Sequence, residues 1–164
     1  GYGQSSGSPD ERGTYDDAAG AWRFLVEQRH IRPDEIIVFG ESLGGAIAAW
    51  LSTEHQPAAL ITQSCFTSLP DLGSRIYPFL PVRWLLRHVY DARGYIAKAR
   101  CPVLVIHSPE DEIVPYDQGR ALFEAAAEPK RFVKIRGDHN GGFLLAGDLY
   151  TKGIESFLAE HLHR

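Results

Sequence analysis

Four short apolar runs rich in β-branched residues punctuate the chain: "EIIVFG" at 35–40, "AALITQSCF" at 58–66, "CPVLVIHS" at 101–108 and "RFVKIRG" at 131–137. Between and after them the apolar residues recur at helical spacing, over 44–55, 116–127 and 143–161. Continuous apolar strands are those covered on both faces, and strands that alternate with helices form a parallel sheet with helices packed on it. The expected fold class is therefore α/β, a parallel sheet of about four strands with flanking helices. A length of 164 residues with 44% hydrophobic content suits one core, so residues 1–164 are expected to form a single domain.

Two segments lie outside this rhythm. The opening "GYGQSSGSPDERG" reads as a loop, followed by a helix with Thr14 as N-cap and Tyr15, Ala18, Ala19, Trp22, Leu25 and Val26 on its apolar face. Residues 68–99 are apolar but carry Pro70, Pro78 and Pro81, which prevent one long helix. That stretch reads as a pair of short helices inserted over the edge of the sheet. It serves either as core packing or as a lid over a substrate pocket, with Tyr77, Phe79, Trp84 and Leu85 as candidate substrate-binding residues.

The strand at 35–40 runs directly into "GESLGG", so that Gly40, Ser42 and Gly44 spell G-x-S-x-G between a predicted strand and a predicted helix. A serine on so tight a turn needs small neighbours two residues away, because the backbone passes close to itself. Its hydroxyl is then held above the sheet, and the Leu43 N–H points where a negative oxygen develops when a carbonyl is attacked. Serine is a weak nucleophile at neutral pH and requires a base, which requires an orienting acid. Asp111 follows the strand at 101–108 and His139 follows the strand at 131–137. Three candidates in the order Ser, Asp, His, each just past a strand's C-terminal end, fall where open α/β sheets bind ligands.

Each candidate has competitors. Ser42 also reads as a turn residue. Glu110, Glu112 and Asp117 lie near Asp111, which is favoured by position. His107 ends a strand and reads as a core histidine. His30, His55, His88, His161 and His163 sit in helical or exposed sequence, which leaves His139 as the histidine after the last strand. Gly1, Gly3 and Gly7 imitate a nucleotide-binding loop without a preceding strand, and that reading is discounted.

The stretches "GYGQSSG", "VFGESLGGAIA", "CFTSLPDL", "FLPVRWLL", "CPVLVIHSPEDEIVP", "EPKRFVKI" and "GDHNGGF" resemble the α/β-hydrolases. More narrowly they resemble the α/β-hydrolase domain-containing group, related to the serine-aminopeptidase-like hydrolases. The resemblance covers nearly the whole chain. It implies Ser42 as nucleophile, Asp111 as acid, His139 as base and the Leu43 N–H as oxyanion donor. Ser108 stands where relatives usually have glycine. "GYGQSSG" resembles the loop after the fourth strand of that fold, so the chain is expected to lack the N-terminal strands and the loop that supplies a second oxyanion donor. The chain opens at Gly1 and contains no methionine, as a piece of a longer protein would. Two expectations follow: weak catalysis, since loss of one such donor costs roughly 100- to 1,000-fold, and an apolar strand edge open to self-association.

The net charge of −4, without blocks of like charge, argues against a nucleic-acid partner. Cys65 and Cys101 adjoin apolar sequence and are expected as buried reduced thiols, which fits a cytoplasmic compartment. No apolar run reaches the length of about 18 residues of a membrane span. No cysteine or histidine cluster suggests a metal, and the expected chemistry requires no cofactor. The function expected is cleavage of a carboxylic ester by an acyl-serine mechanism, on a small-molecule or lipid-like ester. Arg75, Arg83, Arg87 and His88 stand among the apolar residues as candidate head-group contacts. The alternatives are a non-catalytic fragment or scaffold that retains the fold, and a peptidase or amidase.

Overall fold

A computed structural model describes residues 8–162. The glycine-rich stretch at 1–7 and His163 therefore lie outside the described residues. The elements are α1 (Glu11–Arg23), β1 (Ile37–Glu41), α2 (Leu43–Glu54), β2 (Ala59–Gln63), α3 (Leu69–Ile76), α4 (Val82–Leu85), α5 (Ala92–Ile96), β3 (Val103–His107), α6 (Tyr116–Ala125), β4 (Lys130–Lys134), α7 (Gly142–Ala146) and α8 (Asp148–His161). The strands form one parallel sheet in the order β1-β2-β3-β4, with Ile37 beside Ala59, Leu60 beside Val103 and Val103 beside Lys130.

Every residue of β2 and β3 is buried, as their unbroken apolar sequence requires. Because side chains alternate across a strand, each of these strands feeds two cores. Leu60, Val103 and Val105 face α2, α5 and α6 and meet Ala46, Ala49, Ile96 and Leu122. Ile61, Leu104 and Ile106 face the other way, where Val133, Ile135 and Phe157 of α8 close over them. That second core takes no residue from β1. Ile37 and Phe39 are consequently exposed, which corrects the reading of this strand as covered on both faces. β1 is an edge strand of the described sheet, and α8 lies against β4 at the far side.

Three further differences from the sequence reading have local causes. Helix α1 is capped by Asp10, whose carboxylate accepts from the Gly13 N–H at 2.6 Å. Thr14 sits within the first turn and donates back to the Glu11 carbonyl at 2.7 Å. The last helical pattern breaks into α7 and α8 at Gly147, whose φ of +47° no helix interior adopts. Finally, residues 68–99 form three short helices rather than a pair: Pro78 and Pro81 separate α3 from α4, whereas no proline lies between α4 and α5. Helix α5 lies over a sheet face rather than the edge, packed between α2 and α6 with Ala92 and Ile96 in the first core. The reason is topological: this segment is the crossover between the two interior strands. Among the described residues, no helix is long and apolar enough to cross a membrane.

Phe157 is fully buried in the second core. Phe157→Ala is expected to destabilise the fold by about 3–5 kcal/mol, the usual result of emptying a buried aromatic site. Urea denaturation of the two proteins measures it, and a loss under about 1 kcal/mol would mean that α8 is not what holds this face.

Candidate active site

Ser42 occupies the single residue between the end of β1 and the start of α2. Its φ of +50° is costly for a residue with a Cβ. The turn is pinned from both sides: the Ser42 N–H donates to the Gln63 carbonyl at 2.9 Å, and the Gly45 N–H donates to the Ser42 carbonyl at 3.0 Å. A Cβ at Gly40 would stand 2.1 Å from the Gly44 carbonyl oxygen, so the strand and the helix it feeds could not pass this closely around any other residue. The expected steric demand therefore holds at Gly40, whereas a Cβ at Gly44 would meet nothing within 4 Å, which corrects the expectation for that position; the second crowded glycine is Gly45, where a Cβ would stand 2.7 Å from the Cys65 side chain. Leu43 is the first residue of α2, where an N–H has no intrahelical partner.

The loops after β3 and β4 bring two buried side chains to the same end of the sheet. His139 Nε2 lies 3.1 Å from Ser42 Oγ, and His139 Nδ1 lies 3.0 and 2.8 Å from the two carboxylate oxygens of Asp111. An ionised carboxylate only accepts, so Nδ1–H is the donor and Nε2 is left to accept from the serine hydroxyl. Asp111 Oδ1 also accepts from the N–H groups of Ile113 and Val114, at 3.0 and 2.7 Å. Burial by itself pushes the Asp111 carboxyl up. The donors on it, from His107, Val114 and His139, outweigh burial and hold it well below the usual carboxylate range.

The competing acids have other partners. Glu110 accepts from the Gly137 N–H at 2.9 Å and Glu112 from the His139 N–H at 3.1 Å. They tie the loop that carries Asp111 to the loop that carries His139, a role hidden from a reading that asked only which acid was the orienter. Asp117 pairs with Arg75 on the surface. His107 is buried beneath Asp111, with consequences taken up below.

A cavity of about 380 Å³ adjoins Ser42 and is walled by Leu43, Phe66, Leu69, Leu72, His88 and Tyr90. The four residues expected to face substrate are not among them. Tyr77 and Leu85 are exposed, and Phe79 and Trp84 are 97% and 91% exposed. The prolines at 78 and 81 carry that stretch outward. The wall comes instead from one face of α3, where Leu69 and Leu72 stand three residues apart. Apolar content marked the segment, but helical phase within α3 would have chosen the residues. Cys65 and Cys101 are free and buried, and burial pushes their thiols up to about 12 and about 11.

Because the folded protein holds Asp111 below its ordinary range, the ionised form contributes stability that is full above about pH 4 and is lost as pH falls through the folded value. Urea unfolding of the wild type and Asp111→Asn between neutral and acidic pH is expected to give a stability gap that narrows below about pH 4. A gap of constant size would show that the ionised state is not what the site stabilises.

The comparisons with known proteins follow this geometry. Residues 9–142 match the prolyl oligopeptidase family. An uncharacterized protein of Mycobacterium tuberculosis H37Rv is 44% identical over 161 residues, covering 98% of this chain and 57% of that protein. Alpha/beta hydrolase domain-containing protein 17B of Homo sapiens is 32% identical over 163 residues, covering 99% of this chain and 54% of that protein. The chain thus spans a little over half the length of these curated relatives. Among solved structures, the esterase domain of a Rhodothermus marinus protein superposes with a TM-score of 0.68 at 24% identity, covering 93% of this chain and 71% of that one. Pyrococcus furiosus esterase Pf2001 superposes with a TM-score of 0.76 at 16% identity, covering 98% and 66%. At these identities the structures attest the fold alone. With the family match over most of its length and four parallel strands in the expected order, the chain belongs to the prolyl oligopeptidase family of the α/β-hydrolase superfamily.

Proposed function

We propose that this chain carries the reacting groups of a serine hydrolase that cleaves carboxylic esters through an acyl-serine. The observation that carries the reading is the continuous hydrogen-bonded line from Ser42 Oγ through both nitrogens of His139 to the buried Asp111 carboxylate. Ser42 Oγ attacks the ester carbonyl as its proton passes to His139 Nε2, and Asp111 stabilises the imidazolium that results. The Leu43 N–H, at the positive end of α2, faces the oxyanion. Collapse of the tetrahedral adduct expels the alcohol, which takes the proton from His139. Water then enters by the same route in reverse roles and releases the acid. The apolar wall of Phe66, Leu69 and Leu72 beside Ser42 suits an apolar acyl group.

The family match favours a second reading, cleavage of an amide or peptide by the same groups. The two differ in the leaving group: an amine must be protonated before it departs, which places a heavier demand on His139 as acid. Parallel assay of matched esters and anilides, with acyl chains of rising length, separates them.

Labelling of the chain by a fluorophosphonate probe is the direct test. The wild type is expected to label, and Ser42→Ala and His139→Ala to lose at least about 1,000-fold of the labelling rate. A folded wild type that does not label would leave the scaffold reading in its place, and a Ser42→Ala variant that hydrolyses esters at the full rate would remove the serine from the chemistry.

A further inference from the structure

His107 takes no part in the proton transfers above, yet its surroundings are specific. It is the last residue of β3 and is fully buried. Its Nε2 lies 2.9 Å from the Val114 carbonyl oxygen and 3.4 Å from Asp111 Oδ2. Both neighbours are acceptors. A bare lone pair there would face two oxygens, so Nε2 carries the proton and donates to the Val114 carbonyl, with Asp111 Oδ2 close enough to feel the same N–H dipole. Nδ1 is then an acceptor, and among the described residues it has no hydrogen-bond partner. A Cβ at Gly119 would stand 2.3 Å from it, so only glycine leaves room for the ring. The Tyr116 ring covers the imidazole edge-on, with centroids 6.0 Å apart.

An unsatisfied buried acceptor is destabilising. A leucine or phenylalanine would fill this space without it, so packing does not account for the imidazole. What a hydrocarbon lacks is the Nε2 donor. That donor closes a small ring of interactions: His107 holds the Val114 carbonyl, the Val114 N–H holds Asp111 Oδ1, and Asp111 Oδ2 lies against His107 again. Oδ1 carries the N–H groups of Ile113 and Val114, while Oδ2 makes the shorter contact to His139 Nδ1, at 2.8 Å. Donors on both oxygens prevent the carboxylate from turning about its Cβ–Cγ bond.

We infer that His107 is a positioning residue, which through its Nε2–H holds the Asp111 carboxylate in the rotation that presents Oδ2 to His139, with Gly119 keeping the space that the ring needs. The inference rests on the reading of Ser42, His139 and Asp111 as the reacting groups. Among the described residues, Asp111 is the charged group within ion-pair distance of His107, and Tyr116 is the titratable group stacked on it from α6.

The test uses the whole chain and needs no substrate for its first part. Two-bond proton–nitrogen NMR spectra at neutral pH are expected to show His107 as the Nε2–H tautomer, and a low-field proton signal for His139 Nδ1–H. In His107→Leu that low-field signal is expected to broaden or vanish while the fold is retained, and in His107→Gln, whose amide supplies a donor near the Nε2 position, to persist. Gly119→Ala, which crowds the ring without removing it, is expected to behave as a weaker His107→Leu and covers the case in which the leucine variant fails to fold. Fluorophosphonate labelling is expected to fall roughly 10- to 100-fold in His107→Leu and to recover in His107→Gln. An Nδ1–H tautomer for His107, or an unchanged His139 signal and labelling rate in folded His107→Leu, would overturn the inference. Failure of the wild type itself to label would count instead against the reading of the reacting groups, and the NMR result would still decide what His107 does to Asp111.

Discussion

A carboxylate removed from water costs several kcal/mol, by rough estimate, unless donors replace its hydration. The Asp111 carboxylate meets that condition with donors from its own loop and from the loop after β4, and with the His107 N–H dipole at the end of β3 close by. The consequence spreads outward. The loop after β3 is folded around the charge, and the neighbouring Glu110 and Glu112 reach across to the backbone of Gly137 and His139. Two loops that share no backbone ladder are thereby held as one body at the C-terminal end of the sheet. Ser42 is fixed independently, by the strained turn between β1 and α2. The alignment of the three side chains is therefore a meeting of two separately built rigid parts.

How much of this was legible in the sequence depended on whether the determining interaction was local. The strands and their parallel arrangement were readable because burial on two faces leaves an unbroken apolar run. The turn at Ser42 was readable because close backbone approach demands a glycine at position 40, although the same demand does not fall on Gly44. Asp111 and His139 were readable from order along the chain. The cap of α1 was not, since Asp10 and Thr14 are equally good capping types, and nothing local tells that the Thr14 hydroxyl lies instead within hydrogen-bond distance of Tyr90, 76 residues away. The cavity wall was missed for a similar reason: exposure of Phe79 and Trp84 depends on where α3 and α4 come to rest. The partial exposure of β1 is also a tertiary matter, because only the position of α8 reveals that its cover stops at β2.

His107 illustrates the limit most directly. Its position at the end of an apolar strand gave a core histidine, and it is one. What the sequence did not carry was the direction of each ring nitrogen, one toward two oxygens and the other toward a glycine. A core residue and a member of the polar network turned out to be the same side chain.

The sheet topology has a consequence for how the chain reaches this state. All strand pairs are parallel, and each is joined by a crossover containing helix, so Ile37 meets Ala59, and Leu60 meets Val103, only after the intervening segment has been spanned. No hairpin exists in the described sheet to nucleate it locally. The entropy of closing these loops must be met before strand pairing returns any stabilisation, which is the circumstance that slows folding. The β2–β3 pair joins the two most buried strands across the longest crossover, so among these pairs it meets the largest closure entropy, and the three short helices give that crossover local structure of its own.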